Sequence, residues 1–341
     1  MKTFLNSISK SALVSVLALS TFVSSSQSFD CTSNLYQVVD GNHLKVLIPS
    51  TGVYESVGVS SLTYNGAGFN SEDGYIYGIG SGTTLVKVNN TGEAINLGVI
   101  SNFSALSYSG DFDLEGNWYS FKKKGSNWIM NRVDVSQLPA VAEEVVITEL
   151  EGVTSPSSTA DMAFNAITNK FYGMNGGVLV EFDPFNKTVR TVADYSSQTD
   201  GGGFGAAWSD EDGNTYFFNN SSGKIYRAAF NGQGEILSFA FISTSEPNGS
   251  NDGMGCALAQ APVFPEICDN GLDDDGDGLV DCEDPDCTAS EKCGVSGVMF
   301  GSTYACIESL ATYHTFFTNN STLTNTVTIT CLLYTSPSPR D

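Results

Sequence analysis

The chain has 341 residues, with 38 Asp and Glu, 15 Lys and Arg, 2 His, 8 Cys and 41% hydrophobic residues, enough to bury the core of one or two globular domains. The formal charge of −23, without a basic block, excludes nucleic acids and anionic membranes as partners, because both need clustered Lys and Arg. Two His leave little room for His-based zinc sites or Ser-His-Asp catalysis, so we expect cations, neutral surfaces or sugars as partners.

Residues 1–28 have the pattern of a secretory signal peptide. Lys2 and Lys10 precede a mostly apolar stretch at 12–23, and small polar residues follow at 24–28, in the order that secretory signals have. The alternative is a buried first helix. The apolar stretch is too short to cross a bilayer, and no later run reaches the ~20 residues that a span requires. The sequence therefore predicts a secreted or cell-surface protein, with no membrane span in this fragment.

One pattern recurs five times between residues 34 and 259. Each repeat has a Tyr in a short apolar strand, and in four repeats a strand and a turn precede it, several with the Gly that hairpin turns favour. The tyrosines, which are 41, 42, 53 and 44 residues apart, are Tyr36, Tyr77, Tyr119, Tyr172 and Tyr216. Two further strands follow each Tyr, and four short strands in ~45 residues are typical of a propeller blade. We predict an all-β fold, a β-propeller of about five four-stranded blades at 29–260, rather than a stack of unrelated hairpins.

The ends of the repeat region predict how the ring closes. The first repeat lacks its leading strand, whereas the segment 252–257 remains after the fifth repeat. A closed ring has no exposed sheet edge, so this segment is expected to complete the first blade. Cys31 and Cys256 then lie at the two ends of the closure, and we predict a disulfide between them. Two isolated thiols would be unusual in an oxidising compartment.

The repeat region also resembles a known family. The Tyr-Gly strands, the Gly-Asp-Phe-Asp sequence at 110–113 and Asn251-Asp252-Gly253 with its nearby Cys are similar to a propeller-like domain of unknown function. That domain occurs near the N-terminus of many large, secreted, repeat-rich bacterial surface proteins, and the resemblance covers residues 31–259. It implies the fold and almost nothing about activity, because a fold alone does not define a function.

An acidic segment follows the repeats. Residues 266–291 read EICDNGLDDDGDGLVDCEDPDCTASE, and their alternating carboxylates have the register of an EF-hand-type calcium loop, with Gly278 at the sharp turn. The predicted ligands are the carboxylates of Asp273, Asp275, Asp277, Asp281 and Asp284 and the backbone carbonyl of Leu279. The last ligand is Asp rather than Glu, and no amphipathic helices flank the loop. We predict a stand-alone extracellular calcium loop with a Kd of ~0.1–1 mM; the alternative is a solvated acidic linker.

Four cysteines, Cys268, Cys282, Cys287 and Cys293, bracket this loop. They allow three disulfide pairings, which the sequence leaves open. A four-cysteine zinc site is the competing hypothesis, but paired C-x-x-C spacings are missing and dense carboxylates suit a harder ion. The segment at 261–294 resembles an acidic Cys- and Asp-rich motif that follows such propellers in secreted surface proteins. The resemblance implies a calcium-stiffened joint between modules.

The remaining residues are expected to be the start of a truncated downstream domain. This predicted domain covers 295–330 and leaves Cys306 without a partner. Residues 331–341 resemble one translated frame of an adapter used to prepare sequencing libraries, which implies that they are an artefact. The alternative is a natural tail rich in Ser and Pro.

Two functions follow as hypotheses. The first is a non-enzymatic binding or display module, the N-terminal fragment of a larger secreted or surface protein, with calcium as its cofactor. Its partners would be an extracellular protein or glycan and the downstream domains of the same chain. The alternative is a secreted glycoside hydrolase or lyase that acts through paired carboxylates. Candidates for such a pair include Asp111, Asp113, Asp161, Asp210 and Asp212, although the same residues are common turn formers.

Overall fold

A computed structural model describes residues 27–103, 109–124, 127–152, 159–275, 278–290 and 292–293, together with the backbone of two strands at 295–301 and 313–319. The predicted signal-peptide residues 1–26 lie outside the described residues, as do most of the predicted downstream domain and the adapter-like residues 331–341. Asp277 and Cys306 lie outside them as well.

Five antiparallel sheets form the five blades of a β-propeller, which confirms the predicted fold class. The strands are β1 (Leu35–Val39), β2 (His43–Ile48), β3 (Val53–Val59), β4 (Tyr64–Asn70), β5 (Tyr75–Gly80), β6 (Thr84–Val88), β7 (Ala94–Val99), β8 (Gly110–Phe112), β9 (Asn117–Lys124), β10 (Asn127–Asp134), β11 (Ala142–Val146), β12 (Glu149–Glu151), β13 (Met162–Asn165), β14 (Lys170–Asn175), β15 (Val178–Asp183), β16 (Thr188–Asp194), β17 (Phe204–Ser209), β18 (Asn214–Asn219), β19 (Lys224–Phe230), β20 (Ile236–Thr244), β21 (Asn251–Met254), β22 (Val295–Gly301) and β23 (Tyr313–Asn319). Short 3₁₀ helices lie at Ser81–Thr83, Asp281–Glu283 and Pro285–Cys287.

The blades follow one another along the chain. Their strand orders are β21-β1-β2-β3, β4-β5-β6-β7, β8-β9-β10-β11, β13-β14-β15-β16 and β17-β18-β19-β20. The fourth blade carries a fifth strand that was not predicted, because β12 pairs in parallel with β16. Strands β22 and β23 pair with each other as an antiparallel hairpin.

The innermost strands close a ring around the propeller axis. Each of β4, β8, β13, β17 and β21 contacts the next, and β21 returns to β4. This close approach requires small residues. A Cβ on Gly253 would lie 2.6 Å from the backbone nitrogen of Ala207, and one on Gly68 would lie 2.6 Å from the Cα of Asp111. Glycine at both positions lets neighbouring blades meet at the axis.

The last propeller strand completes the first blade, as the sequence predicts. Strand β21 pairs antiparallel with β1, with Met254 opposite Tyr36 and Gly253 opposite Gln37. The structure also joins Cys31 to Cys256 in a disulfide with a Cα–Cα distance of 5.4 Å. The N- and C-terminal ends of the propeller are therefore linked both by a sheet and by a covalent bond.

The recurring tyrosines belong to the core. All five are at most 7% exposed, and the aromatic and aliphatic side chains of neighbouring blades pack around them. Burial of this kind supplies most of the favourable free energy of an all-β fold of this size.

Aspartates form the turns between the first two strands of several blades. Asp113 Oδ1 accepts hydrogen bonds from backbone N–H groups two and four residues later, at 3.0 and 2.9 Å, and Asp210 Oδ1 does the same at 3.0 and 3.0 Å. Gly116 and Gly213 follow with φ angles of +73° and +85°. These two carboxylates therefore serve as turn formers.

Candidate metal centre

The acidic segment lies against the propeller. Phe264 is 1% exposed and packs against Tyr216 of β18, with 5.7 Å between ring centroids. Arg227 of β19 donates a hydrogen bond to the backbone carbonyl of Asp273, with a nitrogen–oxygen distance of 3.4 Å. The start of the acidic loop is thus fixed to the fifth blade by one apolar and one polar contact. We call the segment from Ala261 to Cys293 the connector.

Two disulfides staple the connector and select one of the three open pairings. Cys268 pairs with Cys287 and Cys282 pairs with Cys293, so the two closed loops overlap. Disulfides are the usual substitute for a hydrophobic core in segments this short. Oxidised cysteines also offer no thiolate ligands, so the described connector does not fit the four-cysteine zinc hypothesis.

The fold brings five carboxylates of the connector into two groups that share one member. One oxygen from each of Glu266, Asp273 and Asp275 lies within 4.8 Å of the others, and the same holds for Asp275, Asp284 and Asp286. Carboxylates at this spacing repel one another unless a cation or protons compensate them. Asp275 is therefore the centre of the acidic arrangement.

Two of the surrounding carboxylates have a buried oxygen without a protein donor. Asp284 is 1% exposed, and its Oδ1 accepts the backbone N–H of Asp286 at 2.6 Å, whereas its Oδ2 has no hydrogen-bond partner within the described part of the chain. Asp274 is 2% exposed, and its Oδ1 likewise lacks a partner among the residues described. Burial raises the pKa of Asp274. Buried anionic oxygens of this kind are compensated in most proteins by a hydrogen bond or a metal ion.

Glu266 shapes the loop from outside the predicted register. Its Oε2 accepts the backbone N–H of Asp274 and its Oε1 that of Asp281, each at 2.8 Å. Partial burial raises the pKa of Glu266. One carboxylate thus bridges the two ends of the acidic loop while it contributes an oxygen to the first group.

The structure brings together three of the six predicted ligands, Asp273, Asp275 and Asp284. Asp281 is placed differently, because its carboxylate accepts the backbone N–H groups of Asn270 at 2.9 Å and Gly271 at 3.1 Å. Leu279 lies shortly before the first connector 3₁₀ helix, outside any helix or strand, and Asp277 is outside the described residues.

Sequence reasoning missed Glu266 and Asp286. Both lie outside the twelve-residue register that guided the prediction. Their only signal in the sequence is that they are acidic and lie close to the loop, and most acidic residues near a loop are not ligands.

Two of the carboxylates considered for a hydrolase lie at the propeller axis instead of on an open surface. Asp111 is 7% and Asp161 is 1% exposed. Asp111 Oδ2 accepts the backbone N–H of Phe164 at 2.8 Å, and Asp161 Oδ2 accepts that of Ala207 at 2.7 Å. Burial raises the pKa of Asp111 to about 7. Both carboxylates connect blades.

In the part of the chain that the structure describes, no helix is both long and apolar enough to span a membrane.

Comparison with known proteins identifies a family whose model covers more than half of the chain. The model of a family described as a repeat of unknown function (DUF6923) matches residues 22–258. Among curated proteins, teneurin-1 of Mus musculus is 46% identical over 50 residues and teneurin-1 of Homo sapiens is 44% identical over 50 residues. These matches cover 15% of this chain, and the chain spans only 2% of the length of either teneurin.

Several solved propeller structures are similar at low identity. Virginiamycin B lyase from Staphylococcus aureus is 12% identical, covers 62% of this chain and 71% of its own, and has a TM-score of 0.36. A putative TolB from Agrobacterium tumefaciens is 12% identical, with coverage of 63% and 71% and a TM-score of 0.37. A gluconolactonase from Xanthomonas campestris is 11% identical, with coverage of 67% and 80% and a TM-score of 0.41.

Proposed function

The chain belongs to this repeat family of unknown function, and from its own residues we propose that it is a non-enzymatic binding or display module of a larger secreted or cell-surface protein. The propeller provides the binding surface, and calcium stiffens the connector that leads to further domains. An extracellular protein or glycan is the proposed partner.

The observation that carries the proposal is the arrangement around Asp275. Asp275 belongs to both sets of three acidic residues, and the buried Asp284 beside it has an oxygen without a donor in the described structure. Oxygen donors alone favour a hard cation, and flexible coordination by several carboxylates suits calcium better than the octahedral geometry of magnesium.

The contacts of the connector with the propeller support a role as a joint. Phe264 and the carbonyl of Asp273 are held by the fifth blade, and the two overlapping disulfides hold the loop itself. A cation held by Asp275 and its partners in one of these groups would remove the remaining freedom of the segment. The direction of the chain beyond Cys293 would then be fixed relative to the propeller.

Two further observations favour a non-enzymatic, extracellular module. Four of the carboxylates considered for hydrolysis have structural roles: Asp113 and Asp210 form turns, and Asp111 and Asp161 make contacts between blades. Disulfides such as the three described here persist mainly in oxidising compartments.

Calcium titration of the oxidised full chain by isothermal calorimetry tests the proposal. We expect the binding heat to fit one class of calcium site with a Kd of ~0.1–1 mM. Asp275→Asn, which removes a carboxylate from both groups, and Asp284→Asn should each weaken binding by roughly tenfold or more, about 1.4 kcal/mol.

The matched control is Asp269→Asn. Asp269 lies in the same connector and is half exposed in an ion pair with Lys292 at 2.7 Å, so its removal changes the net charge equally without touching either group. We expect its affinity to stay within about twofold of the parent, since exposed ion pairs contribute little. The absence of heat at millimolar calcium, or equal effects of all three substitutions, would contradict the proposed site.

A further inference from the structure

Three buried aspartates lie together at the axis of the propeller. Asp111 and Asp252 belong to the innermost strands β8 and β21, and Asp161 directly precedes β13. They are 7%, 0% and 1% exposed, in that order. Among the described residues none of the three forms an ion pair with Lys, Arg or His. Three carboxylates without a basic partner in a dry interior are costly unless protons or hydrogen bonds compensate them.

Their hydrogen bonds reach the innermost strand of every blade. Each carboxylate accepts at least one backbone N–H from a different blade, and Asp161 accepts two. The donors are Phe164 to Asp111 at 2.8 Å, Ala207 and Gly253 to Asp161 at 2.7 and 3.0 Å, and Ala67 to Asp252 at 2.5 Å. The aspartates thus take the place of the sheet hydrogen bonds that the innermost strands cannot form with one another.

Asp161 and Asp252 differ in a way that determines their protonation. Both oxygens of Asp161 accept backbone N–H groups, because Met162 donates to Oδ1 at 2.8 Å in addition to the two donors at Oδ2. Asp252 accepts only one, at Oδ2, and its buried Oδ1 has no donor in the described structure. The two side chains are neighbours at the ring closure, because Asp161 Oδ2 accepts the backbone N–H of Gly253, the residue directly after Asp252, at 3.0 Å.

We propose that Asp161 and Asp252 form an acid pair that shares one proton, with the proton on Asp252 Oδ1 and donated to the ionised carboxylate of Asp161. The proton gives Asp252 Oδ1 the hydrogen bond that it otherwise lacks. Asp161 is the ionised partner because three N–H donors stabilise its negative charge. The pair joins the fourth blade to the first, across the point at which β21 closes the ring.

The other titratable groups around the pair strengthen this assignment. Burial, and after it the negative charges of Asp161 and Asp111, raise the pKa of Asp252 well above its usual range. Tyr64 of β4 is 2% exposed, and its hydroxyl has no partner among described groups. Burial and the charge of Asp252 raise the pKa of that hydroxyl as well. Burial and the neighbouring carboxylates therefore disfavour a second negative charge, and they outweigh the Ala67 N–H that donates to Asp252.

The sign of the pH dependence follows from this arrangement. The pKa of Asp252 is raised in the fold above the value of about 3.9 that it has in an unfolded chain. Between these two values the unfolded state is ionised and the folded state holds the proton, so stability falls as the pH rises. When the pH rises above the raised pKa of Asp252, the acid pair between the fourth and first blades loses its proton and with it the hydrogen bond from Asp252 to Asp161.

Two isosteric substitutions separate this model from a simple acidic cluster. In Asp252→Asn the amide Nδ2 can donate to Asp161 as the proton does, while the amide Oδ1 still accepts from Ala67. In Asp161→Asn an amide NH₂ replaces one carboxylate oxygen and faces backbone N–H donors. Either Met162 or both Ala207 and Gly253 then lose their acceptor. The first variant should therefore be tolerated and the second should not.

The experiment is urea unfolding of the full oxidised chain at pH 5 to 9, in the presence of a chelator. The parent midpoint should fall as the pH rises. The Asp252→Asn midpoint should change less than half as much over the same range and exceed that of the parent at pH 8. The Asp161→Asn midpoint should be lower by roughly 1 M urea at pH 6.

The shared proton would be refuted if both substitutions lowered the midpoint equally, or if Asp252→Asn kept the full pH dependence of the parent. A repeat with 5 mM calcium in an Asp275→Asn background separates a proton from a cation. The parent pH dependence should persist there. Its disappearance on addition of calcium would show that a metal ion, rather than a proton, compensates the pair.

Discussion

Replacing Cys31 and Cys256 together by alanine is expected to lower the free energy of unfolding of the propeller by about 4 kcal/mol, because the bridge closes a loop of 225 residues in the unfolded chain. The bridge lies where the first and last parts of the ring meet, so its loss also allows β21 to detach from β1 more easily. Urea denaturation at pH 6, followed by intrinsic Trp fluorescence, measures the change.

The control is the double substitution of Cys282 and Cys293 by alanine. This bridge closes a loop of only 11 residues within the connector. The free energy of unfolding of the propeller should therefore stay within about 0.5 kcal/mol of that of the parent. If removal of the Cys31–Cys256 bridge left the midpoint unchanged, closure by β21 and the axial hydrogen bonds alone would hold the ring.

Trp208→Ala is expected to destabilise the propeller by about 3–5 kcal/mol. Trp208 is 1% exposed and packs between the fifth and first blades with Leu35 and Phe264. Its indole Nε1 donates to the backbone carbonyl of Tyr36 at 2.7 Å. The substitution therefore leaves a cavity at the closure and a buried carbonyl without its donor. Thermal and urea unfolding of the oxidised chain would measure both losses together.

Two variants separate the contributions of Trp208. Trp208→Phe keeps an aromatic ring and removes the donor, and we expect a loss of about 1–2 kcal/mol. Trp128→Ala removes a partly buried indole that stacks on Phe121 with 5.4 Å between ring centroids and should cost less than Trp208→Ala. If Trp128→Ala were as damaging as Trp208→Ala, the junction between the last and first blades would have no special role in stability.

The fold could be predicted because its signal is repeated and local. A buried Tyr in the second strand of each blade recurs at near-constant spacing, and several of the turns that precede it use Asp and a Gly with positive φ, as at Gly116 and Gly213. The absence of a leading strand in the first repeat and the extra segment 252–257 after the fifth repeat were also visible in the sequence. Strand β12 was not, since it has only three residues, all of them exposed, and so short a segment gives no recognisable strand pattern.

The sites could be predicted only in part, because they depend on side-chain direction and on distant contacts. The calcium-loop register selects Asp273, Asp275 and Asp284, which the fold places in the two overlapping groups, but it cannot show that Asp281 turns toward Asn270 and Gly271 or that Glu266 reaches across the loop. Disulfide connectivity has the same limitation, since four cysteines allow three pairings.

The acid pair at the axis is a product of tertiary structure alone. Asp161 and Asp252 are 91 positions apart in the chain, and each occurs in a segment that looks like an ordinary strand end. Only the closure of the ring brings their carboxyl groups together and removes water from them. Because the contact with Asp252 is not visible in the sequence, Asp161 was considered as a possible catalytic group.

The most direct test of the calcium-stiffened connector is a crystal structure of the oxidised protein grown with 5 mM calcium and examined by anomalous scattering. We expect a calcium ion at 2.3–2.6 Å from carboxylate oxygens of Asp275 and Asp284, with Phe264 of the connector packed on Tyr216 and the carbonyl of Asp273 bonded to Arg227. Connector carboxylates that surround only water at this calcium concentration would contradict this expectation.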